Sequence, residues 1–116
     1  MNRDYIFWQR LDSLLERSQI VIDRPKGSVH PRFTDIVYQL NYGYLDGVSS
    51  TDGEGLDVWL GNDPAQKLNG VICTVDLDKC DAEFKLLVGC TEEDKAYLES
   101  FYNDYPNMGA KIICRE

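Results

Sequence analysis

Three carboxylates fall within six residues at Asp52-Gly53-Glu54-Gly55-Leu56-Asp57. Like charges this close repel unless water or a cation separates them. A hard divalent cation takes oxygen ligands, and one or two carboxylates completed by waters and phosphate oxygens is the usual magnesium arrangement. The glycines on either side of Glu54 permit a tight turn that aims several carboxylates inward. A solvated acidic hairpin turn fits the same run, because Asp-Gly is a common turn dipeptide. An EF-hand does not fit. With Gly53 as its central glycine, Val48 and Ser50 would fall where that loop needs acidic ligands.

A second acidic run, Asp76-Leu77-Asp78-Lys79-Cys80-Asp81-Ala82-Glu83, is followed by Lys85. Alone it reads as a polar hairpin loop of about six residues between two strands. Beside the first run it offers a second wall of carboxylates with a cation next to it. Two such walls can hold two metals, which stabilise the attacking and leaving oxygens of phosphoryl transfer. The third element is Tyr38-Gln39-Leu40-Asn41-Tyr42-Gly43-Tyr44. Strand alternation would put Tyr38, Leu40, Tyr42 and Tyr44 on one face. They could simply fill a barrel wall, or a Tyr38 or Tyr44 hydroxyl could donate to a phosphate oxygen. Arg24, Lys26, Arg32 and Lys85 supply cations for a polyanion, although single basic residues are more often surface charges. His30, next to Pro31, could serve as a donor or acid, although a lone histidine beside proline is more often structural.

These residues need a scaffold. Residues 4–17 read as an amphipathic helix, with Phe7, Leu11, Leu14 and Leu15 on one face. That face is most simply a packing surface; a partner-binding face is the sharper alternative. The run Ile20-Val21-Ile22 is β-rich. Strand candidates follow at 35–40, 42–45, 57–60, 71–77 and 85–89, each bounded by Gly, Pro, Asn or Asp. Thr91 is a good N-cap, and Glu92, Glu93 and Asp94 suit the positive end of a helix that stops before Pro106. A terminal strand is expected at 111–114. The reading is a single α+β domain with a β-barrel-like centre. It comprises an N-terminal helix (1–18), a barrel core (20–89), a helix (91–105) and a terminal strand (110–116).

Composition narrows the partners. The 116 residues carry 20 acidic and 12 basic side chains, for a formal net charge of −8. A protein that neutralises nucleic-acid phosphates needs the opposite balance. No apolar run approaches the ~20 residues that span a bilayer, so no membrane partner is expected. The four cysteines, Cys73, Cys80, Cys90 and Cys114, lack C-x-x-C spacing, which argues against a zinc knuckle. Cys73 and Cys114 are expected to be buried thiols, and the setting to be a reduced cytoplasm.

Taken together, Asp23-x-Pro25, Tyr38-x-x-Asn41-Tyr42-Gly43-Tyr44, Asp52-Gly53-Glu54-x-x-Asp57-Val58 and Asp78-x4-Glu83-x-Lys85 resemble the family I soluble inorganic pyrophosphatases, in order and in spacing. The resemblance runs from about Ile20 to Val88 and continues through the second helix to Tyr105. It is closer still to short pyrophosphatase-like proteins carrying Asp-Arg-Pro-x-Gly-Ser-x-His-Pro, here Asp23 to Pro31. It implies a five-stranded OB-like barrel with helices packed outside, and Mg²⁺-dependent hydrolysis of pyrophosphate or a related small phosphoanhydride, with Mn²⁺ as a substitute ion. By resemblance, Asp52, Asp57 and Glu83 ligate the metal pair and Asp78 a further ion, while Glu54 accepts a proton from the attacking water. Arg32, Tyr44 and Lys85 fall where phosphate oxygens are held, and Tyr105 matches a phosphate-gripping tyrosine.

The chain departs from the family pattern in several places. A strand hairpin between Arg32 and Tyr38 is missing, and Thr34 stands where a glutamate is usual. Glu54 and Glu83 replace aspartates, and Pro106 stands where a lysine is usual. These losses keep open a metal- and phosphate-binding module with little turnover, or a hydrolase of a larger phosphorylated substrate. A homo-oligomer is compatible with either.

Overall fold

A computed structural model describes residues 2–49 and 55–116. The element order is α1 (Asp4–Glu16), β1 (Gln19–Arg24), β2 (Asn41–Asp46), β3 (Leu56–Leu60), β4 (Leu68–Asp76), β5 (Asp81–Val88), α2 (Glu92–Asn103) and β6 (Met108–Cys114). The fold is α+β, with six strands among the described residues rather than the five of the expected barrel. Strand order in the sheet is β1-β2-β3-β5-β4-β6. The chain divides into two compact units, Met1–Val58 and Trp59–Glu116.

In the first unit, α1 buries Trp8 and Leu11, whereas Phe7 is exposed and meets Trp8 edge-on. The buried stripe therefore starts one residue later than the sequence pattern suggests. Trp8 and Leu11, three apart, stack on one helical face. Strands β1 and β2 pair antiparallel, with Ile22 opposite Gly43 and Arg24 opposite Tyr42. Asp23 is thus the extra residue of a bulge, a device that re-aims the next side chain, here Arg24. Gly43 is required by the close strand approach: a Cβ there would lie 2.0 Å from the Val21 carbonyl oxygen.

The strand expected at 35–40 does not form. Residues 25–40 make turns and bends closed by a single antiparallel bridge, Val29 to Val37. Side chains organise this loop. The Asn41 Oδ1 accepts from Lys26 N at 2.7 Å, and Ser28 Oγ donates to the Pro25 carbonyl. Backbone groups spent on local turns leave no ladder for a continuous strand. Hence Tyr38 does not share an alternating strand face with Tyr42 and Tyr44.

In the second unit, β4 pairs antiparallel with β5 on one side and β6 on the other. The β4–β5 turn covers residues 77–80, tighter than the expected six-residue loop. Asp76 Oδ1 accepts from the backbone N–H groups of Asp78 and Lys79 at 3.0 and 3.1 Å, an Asx-type tie that holds the turn. Cys80 takes the left-handed conformation at φ 56°. Trp59, Leu86, Leu87 and Leu98 are fully buried; Trp59 Nε1 donates to the Tyr102 hydroxyl at 3.1 Å.

The expected capping of α2 is present. Thr91 and Asp94 exchange side chain-to-backbone hydrogen bonds in a capping box. Asp94 also accepts from Asn62 N at 2.8 Å and Asn62 Nδ2 at 2.7 Å. Gly61 makes room for this clamp, since a Cβ there would meet Asp94 Oδ2 at 2.6 Å. Burial pushes the Asp94 carboxyl toward a higher pKa, but the donors from Asn62 and Thr91 outweigh it and hold the group below its ordinary value.

At the end of the sheet order, β6 meets α2 through Asn103. Its amide donates to the Ala110 carbonyl at 3.1 Å and accepts from Ala110 N at 2.9 Å. Cys114 on this strand is exposed and Cys73 only partly covered, contrary to the expectation that both are buried. The buried thiol is Cys90; burial, then the nearby Asp94 charge, pushes its pKa up to about 12.

Candidate functional site

In the first unit the bulge, the 25–40 loop and two strands assemble a compact group. The Arg24 guanidinium donates through Nη1 to the buried Tyr38 hydroxyl. The Tyr38 ring stacks on Tyr42, with centroids 6.2 Å apart and planes within 18°. The Tyr42 hydroxyl donates to Asp57 Oδ2 at 2.6 Å. That short distance is typical of a hydroxyl donating to a carboxylate. Tyr42 and Tyr44 lie two apart on β2 and so share a face, and both are half-buried.

On the other side of Tyr38 lies His30, its ring nearly parallel at 6.0 Å. His30 Nδ1 accepts from the backbone N–H groups of Arg32 and Phe33 at 3.0 and 3.1 Å. An acceptor Nδ1 places the neutral ring's proton on Nε2. His30 therefore closes the loop, as its structural reading expects. Arg32 and Thr34 are exposed, and the Arg32 guanidinium lies 5.8 Å from the Phe33 centroid.

The second unit holds the other candidates in two places. Glu83 and Lys85, two apart on β5, share a face, and Lys85 Nζ donates to Glu83 Oε1 at 2.7 Å. Lys85 is 5% exposed, whereas the Glu83 side chain is one-third exposed at 34%. Asp78, in the β4–β5 turn, accepts from Asn107 Nδ2 at 3.0 Å. Tyr105 is half-buried in the turn after α2, and its carbonyl accepts from Met108 N.

Asp52 and Glu54 lie outside the described residues. Among the described residues, no group of three or more His, Cys, Asp or Glu side chains gathers as a metal site. Asp57 in the first unit, and Asp78 and Glu83 in the second, each offer carboxylate oxygens, donors that suit a hard cation rather than a soft one.

Solved structures give the architecture its relatives. The inorganic pyrophosphatase of Helicobacter pylori aligns with a TM-score of 0.58 and 18% identity, over 84% of this chain and 82% of that one. The inorganic pyrophosphatase of Coxiella burnetii aligns at 0.59 and 18%, over 84% and 83%. A structure described as an inorganic phosphatase from Anaplasma phagocytophilum aligns at 0.56 and 15%, over 82% and 81%. The fold is pyrophosphatase-like. No protein-family model and no curated protein matches the chain.

Within this pyrophosphatase-like fold, two polar partners escaped the sequence reading. The sequence offers Tyr42 as one aromatic in a row, yet its hydroxyl donates to Asp57. The signal was present in the β2 alternation, which puts Tyr42 and Tyr44 on one face, but alternation cannot say which of them meets β3. Asn107 gave no signal. Its side chain reaches Asp78 because the chain turns through a left-handed residue there, at φ 65°. No helix of the described residues is long and apolar enough to cross a membrane.

Proposed function

We propose that this protein is a Mg²⁺-dependent hydrolase of phosphoanhydrides, with pyrophosphate or a close relative as substrate. The observation that carries this reading is Asp57, held at 2.6 Å by Tyr42 on a pyrophosphatase-like fold. Asp52, Asp57, Asp78 and Glu83 are assigned to metal holding. Bound magnesium would acidify the attacking water and offset charge on the leaving phosphate. Glu54 is assigned as the base that takes the proton of that water.

The chain's own groups have distinct tasks. Tyr42 fixes one oxygen of Asp57 and so limits its rotation. Arg32, Tyr38, Tyr44, Lys85 and Tyr105 are assigned to phosphate oxygens. Lys85 is the strongest of these on physical grounds, because a buried ammonium acts through a lower dielectric than an exposed one. Arg24 holds the Tyr38 hydroxyl in place.

Phosphate release from pyrophosphate, with Mg²⁺ and with excess chelator, tests the reading. Metal-dependent release that disappears in Asp57→Asn supports it. Release that survives this substitution overturns the assignment of the site. No release by the wild type overturns the hydrolase reading and leaves the binding module.

A further inference from the structure

We infer that the 25–40 loop is a recognition platform for the base of a nucleoside polyphosphate, which makes an organic phosphoanhydride, rather than bare pyrophosphate, the preferred ligand. The inference rests on the proposed site for its phosphate end. Its first support is a row of rings. Phe33 lies 5.1 Å from His30, His30 6.0 Å from Tyr38 and Tyr38 6.2 Å from Tyr42, whose hydroxyl is on Asp57. The row joins the candidate carboxylate to the loop tip.

The tip is apolar and exposed. Phe33 is 44% exposed, and the bridged pair Val29 and Val37 are 52% and 42% exposed. These three side chains leave apolar surface open to a ligand on a short loop. A purine or pyrimidine has two π-faces, and stacking on an aromatic ring is tolerant of base identity. Pyrophosphate has no group for such a surface.

Charge supplies the second support. Lys26 and Arg32 are exposed on this same loop, in a chain of net charge −8. The Arg32 guanidinium lies 5.8 Å from the Phe33 ring centroid, so a phosphate on Arg32 and a base at Phe33 fit within one nucleotide's length. Arg is suited to both roles, binding phosphate by a two-pronged fork and lying flat on a π-system. An adjacent cation and aromatic ring complement both ends of a 5′-phosphorylated nucleoside, whereas an inorganic anion uses the cation alone.

The test reads binding without turnover. ADP and pyrophosphate are titrated calorimetrically against wild type, Phe33→Ala and Phe33→Tyr, with Mg²⁺ and with chelator. ADP is expected to bind wild type more tightly than pyrophosphate. Phe33→Ala is expected to weaken ADP about tenfold and leave pyrophosphate unchanged, and Phe33→Tyr to restore ADP. Saturation-transfer NMR on wild type supplies an independent readout, with the strongest transfer expected at the base protons. Equal wild-type affinities, equal losses for both ligands in Phe33→Ala, or transfer absent from the base overturns the inference. Failure of pyrophosphate hydrolysis alone leaves the ADP result standing. Loss of nucleotide preference alone leaves the hydrolase reading standing.

Discussion

Asp57 in the first unit and Glu83 in the second are held by different means. In the first, Asp57 is met by a phenol, a neutral donor that sets direction without cancelling charge. In the second, Glu83 is met by a buried ammonium, which cancels charge as well as fixing position. The difference bears on what each carboxylate can do. A carboxylate steadied by a neutral group keeps its full attraction for a cation. One paired with lysine must share that attraction, and the pair is then poised to trade the lysine to an incoming anion.

The sharpest way to break this contrast is Asp57→Asn. It keeps the Tyr42 partner but removes the charge, and Mg²⁺-dependent phosphate release is expected to fall by at least about 10²-fold, with an unchanged far-UV spectrum. A fall of similar size in stability instead would make Asp57 structural. Next is Glu83→Gln, which removes the charge facing buried Lys85. Unfolding in urea is expected to show a loss of about 2 kcal/mol, below the usual cost of breaking a buried pair because Glu83 is partly in water.

Asp94→Asn follows, with a cost of about 1–2 kcal/mol at neutral pH. It gauges how far charge also orders the second unit outside the candidate site. The sign of its pH dependence is fixed by the lowered carboxyl. The stabilisation from Asp94 is complete above the unfolded value of about 3.9 and drains away as pH falls through the lower folded value. Thermal melts of wild type and variant should converge in that acid range and separate above it. The smallest effect is expected from Tyr42→Phe, about 1 kcal/mol in urea unfolding. A several-fold loss of activity should accompany it without loss of metal affinity, because only the direction of Asp57 is disturbed.

Much of the scaffold was legible because it obeys local rules. Thr91 followed by three acids announces a helix start, and the structure places the cap there. The short runs at 71–77 and 85–89, bounded by turn residues, announce two strands, and β4 and β5 fall there. The 35–40 segment misled because its backbone folds back on residues 27–30, with Gly27 N donating to Tyr38 O, Tyr38 N to Ser28 O and His30 N to Ile36 O, pairings that no window of six residues contains. Cys114 misled for a related reason. It sits in an apolar run, but near the end of the last strand in the sheet order, where burial is partial along the whole strand. For the candidate site, residue types were readable and partners were not. A stack such as His30–Tyr38–Tyr42 depends on how a loop returns, and sequence spacing does not encode the return.

Asn103 has a consequence beyond the domain. A bare outer strand of a sheet presents a comb of amide donors and acceptors to any passing chain, and identical molecules supply the best-matched comb. By satisfying both backbone groups of Ala110 with one carboxamide, α2 occupies the third residue of the seven-residue β6 and interrupts its repeat. A short plug of this kind discourages molecules from zippering together at high concentration, and it does so without spending a charge.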